Sequence, residues 1–194
     1  MTRTVLAVAA VLVLVGCAES AVSWPTPQPP PPPAQVAGPV AEPVAVTIPA
    51  LDVTSTLTGL GLDVDGAMEV PPVDEPQQAG WYQLGVRPGR PGPAVVAGHV
   101  SGRPEGADRS VPGVFADLHE LAAGDEVLID RADGTTAVFE VTAVETHPKD
   151  AFPTEAVYGD VAIPALRLIT CGGTVTDGSY DRNVIAFAVQ VGVR

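Results

Sequence analysis

The stretch that decides the fold reads ALRLITCGG over residues 165–173. Its first five residues form a largely apolar run of the kind found in buried strands. Cys171 therefore falls at the C-terminal end of a predicted strand. A second apolar run, residues 95–97, leads in the same way through a glycine to His99. The sequence thus places a thiol and an imidazole each at the end of a hydrophobic strand.

Arg182 follows eleven residues after Cys171, at the start of the apolar run 183–193. If the two strands pair antiparallel through a ten-residue loop over 172–181, the arginine projects near the cysteine. Thiol-based acyl transfer uses these three groups, because a thiolate attacks, an imidazole handles the proton and a guanidinium stabilises negative charge. The alternative interpretation of Arg182 is a solvated charge at a strand start.

The other cysteine, Cys17, ends an N-terminal segment that is typical of export signals. Residues 1–17 carry one arginine, an apolar stretch over 5–15, and then Gly16 and Cys17. That stretch is shorter than the roughly 20 residues of a membrane-spanning helix. The tetrapeptide LVGC, residues 14–17, is similar to a bacterial lipobox, whose cysteine is lipidated. A short uncleaved signal anchor is the alternative, and either way we expect an exported domain anchored at the outer face of the cytoplasmic membrane.

In an exported protein, an unpaired cysteine such as Cys171 is unusual. Cysteines in an oxidising compartment usually form disulfides, and Cys171 has no partner if Cys17 carries a lipid. A buried structural thiol is the alternative, since free cysteine is among the most buried residue types. The two following glycines and the matching position of His99 favour a reactive thiol.

Composition excludes several classes of function. The formal net charge is −13 and the ten lysines and arginines are scattered, which argues against a nucleic-acid partner. A zinc site could in principle combine Cys171 with His99, His119 and His147, but these residues lack any ligand-pair spacing. We therefore expect no metal and no cofactor. His119 is expected to face solvent from a short helix.

Residues 18–43 form a predicted Pro-rich linker, with uninterrupted proline over 29–33. Such a segment favours extended polyproline II and acts as a semi-rigid spacer. Residues 44–194 are long enough for one domain with a hydrophobic core.

Within this domain, apolar runs alternate with Gly, Pro and Asp turn signals. A hairpin is clearest around Ala132-Asp133-Gly134. About eight strands with few helical segments predict an all-β fold, a closed or nearly closed barrel. The predicted strands are 44–48, 56–64, 81–84, 94–97, 126–131, 135–144, 165–170 and 183–193, with a helix at 111–121 and a helical turn at 154–158.

The sequence resembles the sortases, the cysteine transpeptidases of Gram-positive bacteria. The resemblance rests on AGH at 97–99, on FxxLxxLxxGD at 115–125, on LITC at 168–171 and on Arg182. It covers residues 44–194. The segments CGG at 171–173 and GSYDRNV at 178–184 are most similar to class F sortases of actinobacteria, and class E is the nearest alternative.

The resemblance implies an eight-stranded β-barrel with one or two short helices and no cofactor. It implies Cys171 as nucleophile, His99 as general acid/base and Arg182 as the group that stabilises the oxyanion or the substrate backbone. Thr170 and Gly172 would support substrate or oxyanion binding.

The implied substrate is an exported protein with a C-terminal LPXTG-like sorting signal. The enzyme would cleave after the Thr, hold the acyl group as a thioester on Cys171, and transfer it to an amine or to water. A cell-wall precursor or a pilin lysine would supply the amine. The order of His and Cys is the reverse of that in papain, and the Ser-His-Gly-Cys pattern of L,D-transpeptidases is missing. The alternative function is a catalytically silent exported lipoprotein that uses the barrel as a binding module.

Overall fold

The computed structural model describes residues 40–176 and 178–194. The predicted signal with Cys17, and all but the last residues of the predicted linker 18–43, lie outside this part of the chain. The end of the linker packs on the domain, because Val40 is buried and its carbonyl accepts a hydrogen bond from the Arg87 guanidinium at 3.0 Å. Among the described residues, no helix has both the length and the hydrophobicity to cross a bilayer.

Eight strands of the described residues close into a barrel in the order β1-β2-β3-β4-β9-β10-β8-β7, and β5 pairs with β6 in a separate two-stranded sheet. The predicted all-β barrel is therefore confirmed. The strands are β1 Pro43–Ile48, β2 Val53–Leu60, β3 Ala79–Tyr82, β4 Gly92–Gly98, β5 Ser101–Gly102, β6 Val111–Pro112, β7 Glu126–Arg131, β8 Thr136–Pro148, β9 Pro164–Thr176 and β10 Ser179–Val193. Helical segments are α1, Thr154–Tyr158, and the 3-10 turns Pro49–Leu51, Leu118–Glu120 and Lys149–Ala151.

The barrel has apolar residues on two faces of its central strands. Successive side chains of a strand point to opposite faces, and on β9 Leu166 and Leu168 belong to the large core inside the barrel. Ile169 belongs instead to a smaller buried cluster with Val95 of β4. This second cluster lies on the outer face, where Val157 of α1 covers it.

The outer face also holds a buried arginine that ties α1 to the barrel. Arg167 is only 7% exposed. Its Nε donates to the carbonyl of Ala156 at 3.0 Å, and its guanidinium carbon lies 4.8 Å from the centroid of the Phe187 ring. Burial lowers the pKa of Arg167. This arginine therefore acts as a clamp for the short helix.

The helix predicted at 111–121 is wrong, because its residues fold into β6, a turn and the 3-10 helix Leu118–Glu120. The apolar residues do face one core, as the spacing predicted. Their backbone groups, however, bond to distant segments: the amide of Phe115 donates to the carbonyl of His99, and the amide of Gly113 to that of Val100. These long-range bonds replace the i→i−4 bonds of a helix.

The ten-residue loop predicted over 172–181 is also wrong. Strand β9 continues through Thr176, and β10 begins at Ser179. The pairing is interrupted by a bulge, because Tyr180 pairs with Val175 whereas Arg182 pairs with Gly172. Gly173 sits in the bulge with a φ of 81°, a conformation that glycine adopts without strain.

Candidate active site

Parallel pairing of β4 with β9 sets the relative positions of His99 and Cys171. Val96 is aligned with Leu168, and Ala97 with Ile169. His99 directly follows β4, and it lies two residues beyond this last pair on one strand, as Cys171 does on the other. The two residues also share the strand parity of Ile169, which lies on the outer face. One edge of the sheet therefore carries both predicted groups.

The His99 ring is held by the segment between β2 and β3. Its Nε2 lies 2.6 Å from the carbonyl oxygen of Pro71. A carbonyl only accepts hydrogen bonds, so Nε2 carries the proton and Nδ1 of the neutral ring is left as the acceptor. The same segment is fixed by a second bond, in which the amide of Val114 donates to the carbonyl of Pro76 at 2.7 Å. The orientation and the tautomer of His99 thus depend on a neighbouring loop.

Cys171 is a free, partly exposed cysteine. It lies within β9 and not at its end, where sequence reasoning had placed it. Its antiparallel partner in β10 is Asn183, whose side-chain amide donates to the carbonyl of Thr170 at 3.5 Å. Thr170 and Gly172, the neighbours of the cysteine, are buried. The thiol is therefore accessible while the strand around it is fixed.

Arg182 lies one register step from Cys171, opposite Gly172. Its side chain is 46% exposed and its Nε is 4.0 Å from a carboxylate oxygen of Asp181. Its aliphatic stem lies over Gly173, where an added Cβ would meet Cγ and Cδ of the arginine at 3.0 Å. The other oxygen of Asp181 accepts the amide of Thr174 at 2.7 Å. The bulge therefore supports the arginine beside the strand that carries the cysteine.

A cleft of about 310 Å³ opens beside Cys171. It includes three of the predicted site residues, whereas His99 and Arg182 are outside its lining. The hydroxyl of Thr170 is buried and has no hydrogen-bond partner among the described residues. The lining residues are Val100, Ala116, His119, Thr146, Thr170, Cys171, Gly172, Gly173, Tyr180 and Val184.

Sequence reasoning missed the place of His119 in this cleft. The residue is exposed, as expected, but it lies against the same hollow as Cys171. Leu118, its neighbour, is fully buried and holds the 3-10 helix in the core. Local sequence carries no signal for this proximity, because it results from packing between segments 52 residues apart (171 − 119).

Across the cleft mouth, two segments are joined by a side-chain hydrogen bond. The hydroxyls of Ser101 in β5 and Tyr180 in β10 are 3.0 Å apart. Both groups are partly buried. This bond connects the chain after His99 with the chain before Arg182, so the β9–β10 hairpin is attached to the segment that follows the histidine.

A second hollow, of about 440 Å³, borders the outer-face cluster. Aromatic rings form one wall, because Tyr82 and Phe152 each lie with their ring centroids 6.2 Å from that of Tyr158. Burial, with a smaller contribution from Tyr82, raises the pKa of Tyr158, so its phenol stays neutral. The opposite wall includes Leu62 and Met68. This hollow suits an apolar side chain.

No cluster of three or more His, Cys, Asp or Glu side chains that could hold a metal ion occurs in residues 40–176 and 178–194. The zinc combination of Cys171 with three histidines therefore has no geometric support in the described residues.

The family model of the sortase domain matches residues 46–191. The chain belongs to the sortase family. The match runs from within β1 to within β10 and includes all the residues of the candidate site. Comparison of this sortase with curated proteins found no match.

Solved structures of other sortases share the fold of this one. A lid mutant of sortase A from Corynebacterium diphtheriae aligns with a TM-score of 0.58 and 18% identity, over 80% of this chain and 73% of that chain. Sortase A from Listeria monocytogenes aligns with a TM-score of 0.57 and 15% identity, over 79% and 90% of the two chains. Sortase C-1 from Actinomyces oris gives 0.58 and 19%, over 77% and 75%. At these identities the likeness is one of fold.

Proposed function

We propose that this sortase cleaves an LPXTG-like sorting signal after its Thr and transfers the acyl group from a thioester on Cys171 to an amine or to water. The observation that carries the proposal is the parallel register of β4 and β9, whose last pair, Ala97 and Ile169, lies two residues before His99 and Cys171 respectively. Family membership supports a cysteine transpeptidase in general. The motif, the residue roles and the acceptor are the proposed part.

In the first step Nδ1 of His99 accepts the proton of the Cys171 thiol, and the sulfur attacks the carbonyl carbon of the substrate Thr. A free thiol is partly ionised near neutral pH and is intrinsically nucleophilic. The tetrahedral intermediate carries an oxyanion, and the proposal assigns its stabilisation to the guanidinium of Arg182, which pairs with Gly172 next to Cys171. As the C–N bond breaks, His99 passes the proton from Nδ1 to the leaving amine, and the acyl group remains on sulfur as a thioester.

In the second step the thioester is opened by an amine, and the C–S bond breaks as the new C–N bond forms. His99 accepts the proton that the attacking amine loses. The buried hydroxyl of Thr170 supports the substrate or the oxyanion, since its oxygen lacks any other partner among the described residues.

The outer-face hollow fits the apolar part of the sorting signal. It lies on the face of β4 and β9 that also carries His99 and Cys171, and its walls include Tyr82, Phe152 and Met68. An apolar side chain buried there gains roughly 1.5–3 kcal/mol. A peptide bound along this face would place its following residues toward the cysteine.

The subclass and the location complete the proposal. The segments at 171–173 and 178–184 support a class F enzyme. The lipobox-like LVGC at 14–17 supports an exported protein held at the outer face of the cytoplasmic membrane through lipid on Cys17. The linker 18–43 would then separate the catalytic domain 44–194 from the membrane.

The test of the proposed function is Cys171→Ala against the wild-type protein with a fluorogenic LPXTG-type peptide. We expect cleavage to be abolished while the thermal unfolding midpoint stays close to that of the wild type, because the thiol is partly exposed. Equal turnover by the two proteins would eliminate the enzymatic interpretation. A wild-type protein that binds the peptide without cleaving it would favour the silent binding module.

A further inference from the structure

We propose that His119 removes a proton from the incoming ammonium acceptor in the cleft beside Cys171, and so favours amine over water as the acyl acceptor. This inference rests on the proposed function and assigns a role to a residue that the two-step scheme above does not use. It follows from the residues that line the cleft, from the exposure of His119, and from the position of His99 outside that lining.

Among the described residues, the cleft lining contains no carboxylate, lysine or arginine. The titratable groups that line it are the Cys171 thiol, the Tyr180 phenol and the His119 imidazole. The flanking carboxylates on the segment of His119, Asp117 and Glu120, are exposed and lie outside the lining. An ammonium ion in this cleft therefore meets no fixed negative charge, and imidazole is the group that accepts protons near neutral pH.

His99 is not placed to do this task. It lies outside the lining of the cleft. Its Nε2 donates to the carbonyl of Pro71, and the proposed scheme already uses its Nδ1 for the protons of the reacting groups. His119 lines the cleft itself, from the 3-10 helix Leu118–Glu120.

The proposed step precedes attack on the thioester. An α-amino group with a pKa of about 7.7–8.0 is mostly protonated at pH 7 and has no free electron pair. His119 takes one proton from the R–NH3+ group, leaving neutral R–NH2 and an imidazolium ion. The imidazolium passes that proton to bulk water, since His119 is exposed. The neutral amine then attacks the thioester, with His99 taking the second proton.

Neutral acceptors do not need this step. Water carries no proton that must be removed before binding, and hydroxylamine is uncharged at neutral pH. Loss of His119 should therefore impair transfer to a cationic amine and leave hydrolysis and hydroxylaminolysis unchanged. A merely structural role would lower all three together.

The experiment compares wild type, His119→Gln and the matched control His147→Gln, each with a fluorogenic LPXTG-type peptide and either diglycine or hydroxylamine as acceptor. His147 is bonded to Glu145 at 2.8 Å and lies outside the cleft lining. A positioned acid or base is worth about 10²–10⁴-fold, and because water can share the role at an exposed site we expect about a tenfold loss of diglycine transfer in His119→Gln. Fragment release and hydroxamate formation should match the wild type.

The difference in diglycine transfer between His119→Gln and the wild type should become smaller above a pH of about 8, where the amino group of diglycine is mostly neutral without help from the enzyme. Equal diglycine transfer by His119→Gln and wild type would overturn the inference, as would a parallel loss with both acceptors. Failure of the wild type to form an acyl-enzyme from the peptide would overturn the proposed function, and this inference with it.

Discussion

Removal of the buried hydroxyl of Thr170 is predicted to raise the stability of the domain and to lower its activity. Thr170 is 4% exposed, and its Oγ1 finds no hydrogen-bond partner in residues 40–176 and 178–194. A buried polar group without a partner costs about 1–3 kcal/mol of folding free energy. Thr170→Val replaces the hydroxyl by a methyl group of similar shape. We therefore expect the free energy of unfolding to rise by about 1 kcal/mol.

For a domain of this size, 1 kcal/mol corresponds to a rise of about 2–4 °C in the unfolding midpoint. Activity should fall, because Thr170 is one of the residues that line the cleft and the proposed function assigns its hydroxyl to the substrate or the oxyanion. A hydrogen bond with a net value of about 1 kcal/mol changes a rate by about fivefold. The acylation rate of Thr170→Val should thus drop about fivefold in a more stable protein.

The matched control is Thr136→Val, since the Thr136 hydroxyl does have a partner. It donates to a carboxylate oxygen of Asp130 at 2.6 Å, so its removal should destabilise the domain by about 1 kcal/mol. Urea unfolding followed by tryptophan fluorescence measures both variants, with unchanged slopes indicating the same denatured state. If Thr170→Val lost as much stability as Thr136→Val, the hydroxyl would have a bonding partner in the free enzyme and the reasoning would be refuted.

Two further variants test the support of the site and the predicted anchor. In Gly113→Ala the new Cβ would clash with the backbone carbonyl of His99, so we expect the free energy of unfolding to fall by about 1–3 kcal/mol and peptide cleavage to drop markedly. The control Gly192→Ala should change neither stability nor cleavage, because its Cβ meets no atom within 4 Å. Equal melting curves for the two variants would contradict this. In Cys17→Ser, labelling of the protein by a radioactive fatty acid should disappear from membrane fractions, and persistent labelling would exclude Cys17 as the lipid site.

Local signals explain the parts of the fold that sequence predicted well. The hairpin around Asp133 and Gly134 is confirmed as β7 and β8. The side chain of Asp133 accepts both the amide and the hydroxyl of Thr135, and these bonds, the hydroxyl first, lower the pKa of the Asp133 carboxyl. A turn of this kind is encoded by adjacent residues, so its position needs no tertiary information.

Non-local packing explains the failures. Residues 111–121 have a helical spacing of apolar side chains, yet Gly113 and Phe115 bond to the chain after β4. The bulge at Gly173 includes a hydrogen bond from the Thr174 amide to Asp181 across the hairpin, and the two adjacent glycines alone do not predict it. Both errors arise where partners distant in sequence determine the backbone.

The sequence predicted which residues form the candidate site better than it predicted how they are arranged. Sequence reasoning selected Cys171, His99 and Arg182 by residue type and by their place next to apolar runs. It did not predict the parallel pairing of β4 with β9, which ends two residues before His99 and Cys171. Nor did it predict the carbonyl of Pro71 against His99, or His119 in the cleft. The catalytic roles of the three residues stay predictions until the variants are measured.

The bulge between β9 and β10 separates the hairpin into two parts whose strand registers would otherwise shift together. Below it, Cys171 and Gly172 keep their alignment with Asn183 and Arg182. Beyond the bulge, β9 has one residue more than β10. Residues can therefore be gained or lost at the tip that carries Tyr180 without shifting the strand register near Cys171. The wall of the cleft at Tyr180 can therefore change in sequence and length while the pairing around Cys171 stays the same.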